Sequence, residues 1–208
     1  VFTMVHNNNG FNSILESSLP ARSSPWGIPQ QAVHLAPGIW SVSTSSHGGI
    51  YIDRERLSEM PKHLRKGRTQ WYEEDCDWVL VYYSFEREMQ KGETFAQIAE
   101  QTLRNWHPVA YAEHFGVMIE SLAGRSIIYD RQQADIRNAD KMVVVAAWGD
   151  WCPTVPVGMV GVKAMLGGQR VDGGEQTHVL VPYLEYDKRK TGGYVLAGDE
   201  PLWIGPTR

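Results

Sequence analysis

The apolar residues of this chain follow two different patterns in two successive stretches, and this change most constrains the fold. Between residues 53 and 122, apolar side chains recur at helical spacing, most clearly over residues 95–103. After Gly124, short apolar runs such as residues 142–148 alternate with glycine pairs that suit tight turns. The two patterns predict an α+β fold: a single compact domain with an antiparallel sheet and with helices concentrated in the middle of the chain.

The start of the chain is predicted to be a flexible lead-in that covers residues 1–24. This stretch is rich in Asn and Ser and has few large apolar side chains from which to build a core. A single domain is predicted over residues 25–208, with a helical middle at about residues 53–122 and a β-rich part at about residues 125–205. A chain of 208 residues is long enough to bury one core.

A β-hairpin is predicted ahead of the helical middle. Residues 38–43 alternate between apolar and polar side chains, as a half-buried strand does, and residues 50–52 supply the returning strand. The tip of this hairpin is predicted to hold His47, Gly48 and Gly49.

Capping and breaking residues predict where the other elements begin and end. Asp53 is placed to cap a helix that Pro61 ends, and Thr94 to cap a helix that ends at Trp106. Residues 73–85 fit both a helix and a strand; the helix is the preferred interpretation, and its first turn then carries several acids. The remaining predictions are a helix over residues 111–122 and strands over residues 142–148, 157–166, 177–181 and 194–196.

Charge and composition argue against several classes of protein. The formal net charge is -4 and the acids and bases are interspersed, so a nucleic-acid binder with a basic face is not expected. No apolar run reaches the roughly 18 residues of a membrane span, so no membrane association is expected. Cys76 and Cys152 are too few for a disulfide framework, which favours a reducing, intracellular setting.

Residues 43–49 form the first candidate site. A histidine on a glycine-flanked turn, here His47, is a candidate general acid or base, and neighbouring hydroxyls can donate to a ligand. Adjacent glycines let backbone N–H groups approach an anion. The alternative is a structural turn whose hydroxyls bond to the local backbone. The predicted ligand-binding residues of this stretch are Ser43, Thr44, Ser46, Gly48 and Gly49.

Residues 71–78 form the second candidate site, because they place four acids and a thiol beside three aromatic side chains. Large rings beside a carboxyl group remove water from it and favour its protonated form. The predicted catalytic acids are Glu73, Glu74 and Asp75, one of which would pair with His47, and Trp71 and Tyr72 are predicted to bind the ligand. The alternative is a helix start that carries acids because the helix dipole favours them.

No cofactor and no metal are expected. The paired C-x-x-C and H-E-x-x-H patterns of zinc sites are missing, as are the phosphate-binding, dinucleotide-binding and nucleophile-elbow signatures. A zinc site that combines His47 and Cys76 with an acid has no spacing in its favour.

Several sequence blocks resemble those of one family of domains. The blocks are S-P-W-G-x-x-Q from Ser24, A-P-G-I from Ala36, S-T-x-S-H-G-G from Ser43, W-Y-E-E-D from Trp71, L-R-N-W-x-P from Leu103 and W-G-D-W from Trp148. Over residues 24–196, the chain resembles an uncharacterised domain family of phages, plasmids and other bacterial mobile elements. The resemblance implies an accessory protein in the cytoplasm of a bacterial host, encoded near genes that blunt host defence, and it implies no particular activity.

Three functions are compatible with these observations. The preferred one is a phage or mobile-element accessory protein that interferes with host defence or transcription by binding a host protein, since aromatic residues are frequent and no strong catalytic signature is present. The alternative is a hydrolase or transferase that uses His47 with an acid from residues 73–77. A nucleic-acid module ranks last because of the charge. Whether the chain is an enzyme stays open, and the sequence predicts no oligomeric state.

Overall fold

The structure, a computed structural model, describes residues 21–89, 92–170, 173–189 and 192–206. The predicted lead-in lies outside the described residues except for its last four positions. The chain divides into two compact units, Val1–Leu103 and Arg104–Arg208, and the boundary falls inside a helix. A single domain over residues 25–208 stays a prediction.

The first unit contains a four-stranded antiparallel sheet in which sequence neighbours are also spatial neighbours. The predicted hairpin is confirmed as its second and third strands, but its tip differs from the prediction. Residues 44–47 make the turn, whereas Gly48 and Gly49 are strand residues because they pair with Ser43 and Val42. The strands are β1 (Gln31–Ala36), β2 (Ile39–Ser43), β3 (Gly48–Ile52) and β4 (Trp71–Glu73).

The helices of the first unit follow their capping residues. The carboxylate of Asp53 accepts a hydrogen bond from the backbone N–H of Arg56 at 2.8 Å and starts the predicted helix, which ends ahead of Pro61. The helix that Thr94 was predicted to cap begins one residue earlier, at Glu93, and ends at Trp106 as expected. The helices are α1 (Arg54–Glu59), a 3₁₀ turn (Lys62–Leu64), α2 (Trp78–Ser84), α3 (Glu86–Met89) and α4 (Glu93–Trp106).

The prediction that acids occupy the first turn of a helix at residues 73–85 is wrong. Tyr72 pairs with Ile50 of β3, so residues 71–73 join the sheet as its fourth strand. A turn follows, and α2 begins only at Trp78. The core of the unit lies between α2 and one face of the sheet, where Ile50 and Tyr72 are almost completely buried.

The second unit begins with the last turn of α4 and continues with helices that differ from the prediction. The helix predicted over residues 111–122 ends early, because Gly116 adopts a left-handed φ of 65° and stops it. A helix also occupies part of the predicted β-rich region, where Ser126 accepts from the backbone N–H of Tyr129 and caps it. The helices are α5 (Pro108–Phe115), a 3₁₀ turn (Ile119–Leu122), α6 (Ile127–Arg137) and α7 (Tyr183–Tyr186).

A second antiparallel sheet follows, so the strands form two sheets where the sequence predicted one. Its three strands agree with the predicted runs to within two residues at either end: β5 (Met142–Trp148), β6 (Met159–Leu166) and β7 (Gln176–Pro182). The predicted strand at residues 194–196 makes only a bridge to β5, and residues 201–203 bridge to β7 at the other edge. The α+β class is confirmed. In the described segments, no helix has the length and apolar character needed to cross a membrane.

Candidate functional site

Thr44 closes the turn that joins β2 to β3. Its backbone N–H and its hydroxyl both donate to the carbonyl oxygen of His47 at 2.8 Å. The hydroxyl oxygen also accepts from the backbone N–H of His47 at 3.2 Å. This is the local bonding expected of a structural turn. It leaves the side chains of Ser43, Ser46 and His47 exposed at one end of the sheet.

The backbone N–H of Gly48 binds an anion that belongs to the chain itself. It donates to Oε1 of Glu74 at 2.9 Å, and the backbone N–H of Glu74 donates back to the carbonyl oxygen of Gly48 at 3.2 Å. A Cβ atom at position 48 would lie 2.7 Å from Oε2 of Glu74, so only glycine leaves room for this carboxylate. The sequence predicted that an anion approaches the glycine pair. In the structure, the group that binds the backbone N–H of Gly48 is the carboxylate of Glu74.

Gly49 is buried beneath an indole ring. A Cβ atom at this position would lie 2.3 Å from the ring of Trp26 and 2.3 Å from the carbonyl oxygen of Tyr72. The ring of Trp26 also packs edge-on against Trp71, with centroids 5.6 Å apart. The absent side chain at Gly49 thus lets the ring of Trp26 approach the backbone of β3 closely.

Of the two remaining predicted acids, Glu73 is the last residue of β4 and Asp75 lies in the turn between β4 and α2. Oε2 of Glu73 accepts from the backbone N–H groups of Asp75 at 2.8 Å and of Cys76 at 3.1 Å, so Glu73 holds the turn together. The side chain of Asp75 is exposed. These carboxylates decorate a turn and not a helix start, and the helix dipole therefore does not account for them.

The thiol and the phenol at this end of the sheet are both protonated at neutral pH. Burial, together with the nearby carboxylates of Asp77 and Glu73, raises the pKa of Cys76 to about 11. A thiol in this state is a poor nucleophile. Burial also raises the pKa of Tyr72, whose hydroxyl donates to the sulfur of Met60 at 3.3 Å in the core.

His47 is not bonded to any of the predicted catalytic acids. Among the described residues, its imidazole forms no hydrogen bond or ion pair with Glu73, Glu74 or Asp75. Two of the three acids direct carboxylate oxygens to backbone N–H groups instead. The pairing of His47 with an acid for acid-base catalysis stays a prediction.

A row of aromatic side chains crosses the face of this sheet that α2 does not cover. His34, Trp40, Tyr51 and Trp71 are direct partners across β1, β2, β3 and β4, so their side chains share one face. Successive ring centroids lie 5.5, 5.7 and 4.8 Å apart. With Trp26, which packs on Trp71, these five residues form what we call the aromatic strip.

The aromatic strip is accessible along its length. His34 is exposed, and the other four rings are half-buried. Tyr51 also accepts a hydrogen bond from the side-chain amide of Gln70 at 3.1 Å, which fixes its hydroxyl. The rings meet edge-on or tilted, which are arrangements that aromatic quadrupoles favour. The strip is therefore a rigid, partly solvent-exposed apolar surface.

The sequence interpretation included Trp71 but missed the other four members of the strip. A signal was present: residues 40 and 51 are equally far from the turn at residues 44–47, so the hairpin makes them cross-strand partners. His34 and Trp40 are not equally far from the turn at Pro37 and Gly38, and they become partners only because a β-bulge lies between His34 and Ala36. The turn positions therefore predict the Trp40–Tyr51 pair of the strip and not its other members.

Comparison with known proteins identifies one family. A family model described as a domain of unknown function, DUF7007, matches residues 20–139. No curated protein and no solved structure matched the chain. The matched range contains the whole aromatic strip and both candidate stretches, and it ends before β5. Because the match covers more than half of the chain, the protein belongs to the DUF7007 family of uncharacterised domains.

Proposed function

We propose that this protein binds a partner protein through the aromatic strip and that the partner belongs to a bacterial host. In this proposal the chain is an accessory protein of a phage, plasmid or other mobile element, and binding interferes with host defence or transcription. The observation that supports it best is the strip itself: five aromatic side chains are aligned on one accessible face of a sheet.

The composition of the strip is typical of an interface. Tryptophan and tyrosine are enriched at the centres of protein interfaces, because they offer a large contact area and lose little conformational entropy. Cross-strand aromatic pairs also stabilise a sheet. Here the row continues across all four strands and ends in the exposed ring of His34.

The enzyme alternative has less support. It needs His47 and an acid within hydrogen-bonding distance, and the carboxylates of Glu73 and Glu74 are bonded to backbone N–H groups of the turns. Cys76 is held in its protonated form. In the binding proposal, His47→Ala leaves the phenotype of the expressed protein in a bacterial host unchanged. If the His47→Ala variant stays folded but the phenotype is lost, the enzyme hypothesis replaces the binding proposal.

Photo-crosslinking in cells tests the binding proposal directly. A photoreactive phenylalanine derivative is placed either at His34 or at Val33 of the full chain, which is expressed in a bacterial host. The two positions are adjacent on β1 and both are exposed, but their side chains point to opposite faces of the sheet. We expect one discrete adduct from position 34, identified by mass spectrometry, and none from position 33.

The dependence of the adduct on the strip provides the control. Trp40→Ser, which removes the ring next to position 34, is expected to abolish the adduct. Trp151→Ser makes the same chemical change at an exposed tryptophan of the second unit, 74% accessible, and should leave it intact. Equal adducts from positions 33 and 34, or an adduct that persists in folded Trp40→Ser, would contradict the proposal.

A further inference from the structure

We infer that the aromatic strip receives a positively charged segment of its partner, in which arginine or lysine side chains lie on the rings, meet the carboxylate of Glu73 on the same face and are attracted by the neighbouring charges of Glu74 and Asp75. This inference rests on the proposed function and adds the chemistry of the partner. It is carried by the juxtaposition of the strip with a group of negative charges at one end of it.

The register places the first of these acids, Glu73, on the same face as the strip. Trp71 and Glu73 are two residues apart on β4, so their side chains lie on the same face of the sheet. Glu73 also lies opposite Gly49, the residue that Trp26 covers. Glu74 follows on the other face, where its carboxylate binds the backbone N–H of Gly48, and Asp75 lies in the turn beyond; both of these side chains are exposed.

The charges of these acids are not neutralised by the chain. Within the described parts of the chain, none of the three carboxylates forms an ion pair with a lysine, arginine or histidine. The nearby ammonium group of Lys66 is bound to the buried carboxylate of Asp77. Hydrogen bonds from backbone N–H groups hold Glu73 and Glu74 in place without removing their charge.

The combination suits a cation better than any other ligand. The faces of indole and phenol rings attract a guanidinium or ammonium group, and arginine stacks well on them. A carboxylate beside the ring adds a charge-assisted hydrogen bond. The same carboxylates repel phosphate, so the strip is unsuited to the single-stranded nucleic acids that otherwise stack on aromatic rows. An uncharged apolar segment would gain nothing from the three acids.

Binding of simple probes to the full chain tests the inference. The probes are dye-labelled peptides of equal length in which glycine alternates with arginine, glutamine or glutamate, together with a single-stranded oligothymidine. Fluorescence anisotropy gives each Kd at low and at physiological salt. We expect the arginine peptide alone to bind, less tightly at higher salt, and Tyr51→Ser to weaken it by about 5-fold through loss of a cation–π contact.

A charge-neutral variant separates the carboxylates from the rings. Glu73→Gln, Glu74→Gln and Asp75→Asn together keep the acceptor oxygens that hold the turns and remove three negative charges. Together these substitutions are expected to weaken binding of the arginine peptide by about 10-fold. The matched control neutralises three exposed acids of the second unit, Glu120→Gln, Asp135→Asn and Glu175→Gln, and should leave its Kd unchanged.

Two results overturn the inference: an equal effect of both triple variants, or tighter binding of the glutamine peptide or the DNA than of the arginine peptide. The same two triple variants in the photo-crosslinking chain keep this inference distinct from the proposed function. If Trp40→Ser abolishes the adduct but the triple variant of Glu73, Glu74 and Asp75 keeps it, the binding proposal stands and the inference of a cationic partner is rejected. An adduct that survives Trp40→Ser removes both.

Discussion

At the scale of single residues, the hairpin is organised by the side chains that its glycines lack. Gly48 leaves room for the carboxylate of Glu74, and Gly49 for the indole of Trp26. Neither glycine has a positive φ, so their role here is close approach and not a special backbone conformation. The contact at Gly49 holds Trp26, at the end of the aromatic strip, against β3, and the contact at Gly48 holds the turn after β4 against the same strand.

Gly49→Ala is expected to destabilise the protein by about 2–3 kcal/mol. The new methyl group would lie 2.3 Å from the ring of Trp26 and 2.3 Å from the backbone carbonyl oxygen of Tyr72, and the second of these groups cannot move without breaking the pairing of β3 with β4. Urea denaturation followed by tryptophan fluorescence measures the change.

The control for this substitution removes only one of the two clashes. In a Trp26→Ala background, Gly49→Ala should still destabilise the protein, because the carbonyl oxygen of Tyr72 remains in place. Ser43→Ala, at an exposed position of the paired strand β2, should change the free energy of unfolding by less than about 0.5 kcal/mol. Wild-type stability of Gly49→Ala would show that β3 and β4 separate easily here.

At the scale of elements, a C-terminal segment closes one edge of the second sheet through a single tryptophan. The backbone N–H of Trp203 donates to the backbone carbonyl oxygen of His178 in β7 at 2.9 Å. Its indole N–H donates to the carbonyl oxygen of Thr154 at 3.0 Å and to the hydroxyl of the same residue at 3.1 Å. The ring lies over Gly161 of β6 and packs against Trp148 of β5, with centroids 5.4 Å apart.

Gly161→Ala is therefore expected to destabilise the protein by about 1–3 kcal/mol. Its Cβ atom would lie 2.7 Å from ring carbons of Trp203, and the ring cannot withdraw without losing its hydrogen bonds to Thr154. A double-mutant cycle with Trp203→Leu provides the check, because Gly161→Ala should cost less once the ring is gone. Additive effects in denaturant unfolding would show that the ring and the glycine are not coupled.

Elements with strong local signals were the ones that the sequence predicted well. The α1 cap at Asp53 and the apolar run of β5 agree with the structure, because each depends on residues close together in the chain. The acids before α2 were wrongly predicted to lie in a helix, because residues 71–73 pair with β3, a strand distant in the sequence. α6 was missed because its mean hydropathy is low and few of its side chains are buried, so its pattern resembles that of a polar loop.

At the scale of the whole molecule, the aromatic strip and the second sheet both depend on which strands become neighbours. The sequence predicts the β2–β3 hairpin, whose strands share a short turn, but not the pairing of β4 with β3, which closes a long loop. For the predicted site, the sequence could anticipate that His47 is exposed and that acids cluster ahead of α2. The strip required the registers of four strands, and this is why four of its five members were missed.

Acidification is expected to destabilise the protein through His178, which packs beside Trp203 with ring centroids 6.1 Å apart. Burial, and then the nearby charge of Lys163, lowers the pKa of His178 below its usual value of 6.5. The unfolded chain therefore binds a proton that the folded chain excludes. The stability contributed by the neutral imidazole is complete above about pH 6.5 and is lost as the pH falls through that value toward the lower pKa of the folded protein.

Replacement of the imidazole tests this directly. In His178→Gln, the free energy of unfolding from urea titrations should fall less steeply between about pH 7 and pH 5 than in the wild type, because the proton that His178 takes up on unfolding is removed. Lys163→Gln should keep most of the wild-type slope, since burial is the larger cause of the lowered pKa and the charge of Lys163 the smaller. If His178→Gln and the wild type lose stability in parallel, protonation of His178 does not govern the acid sensitivity of the fold.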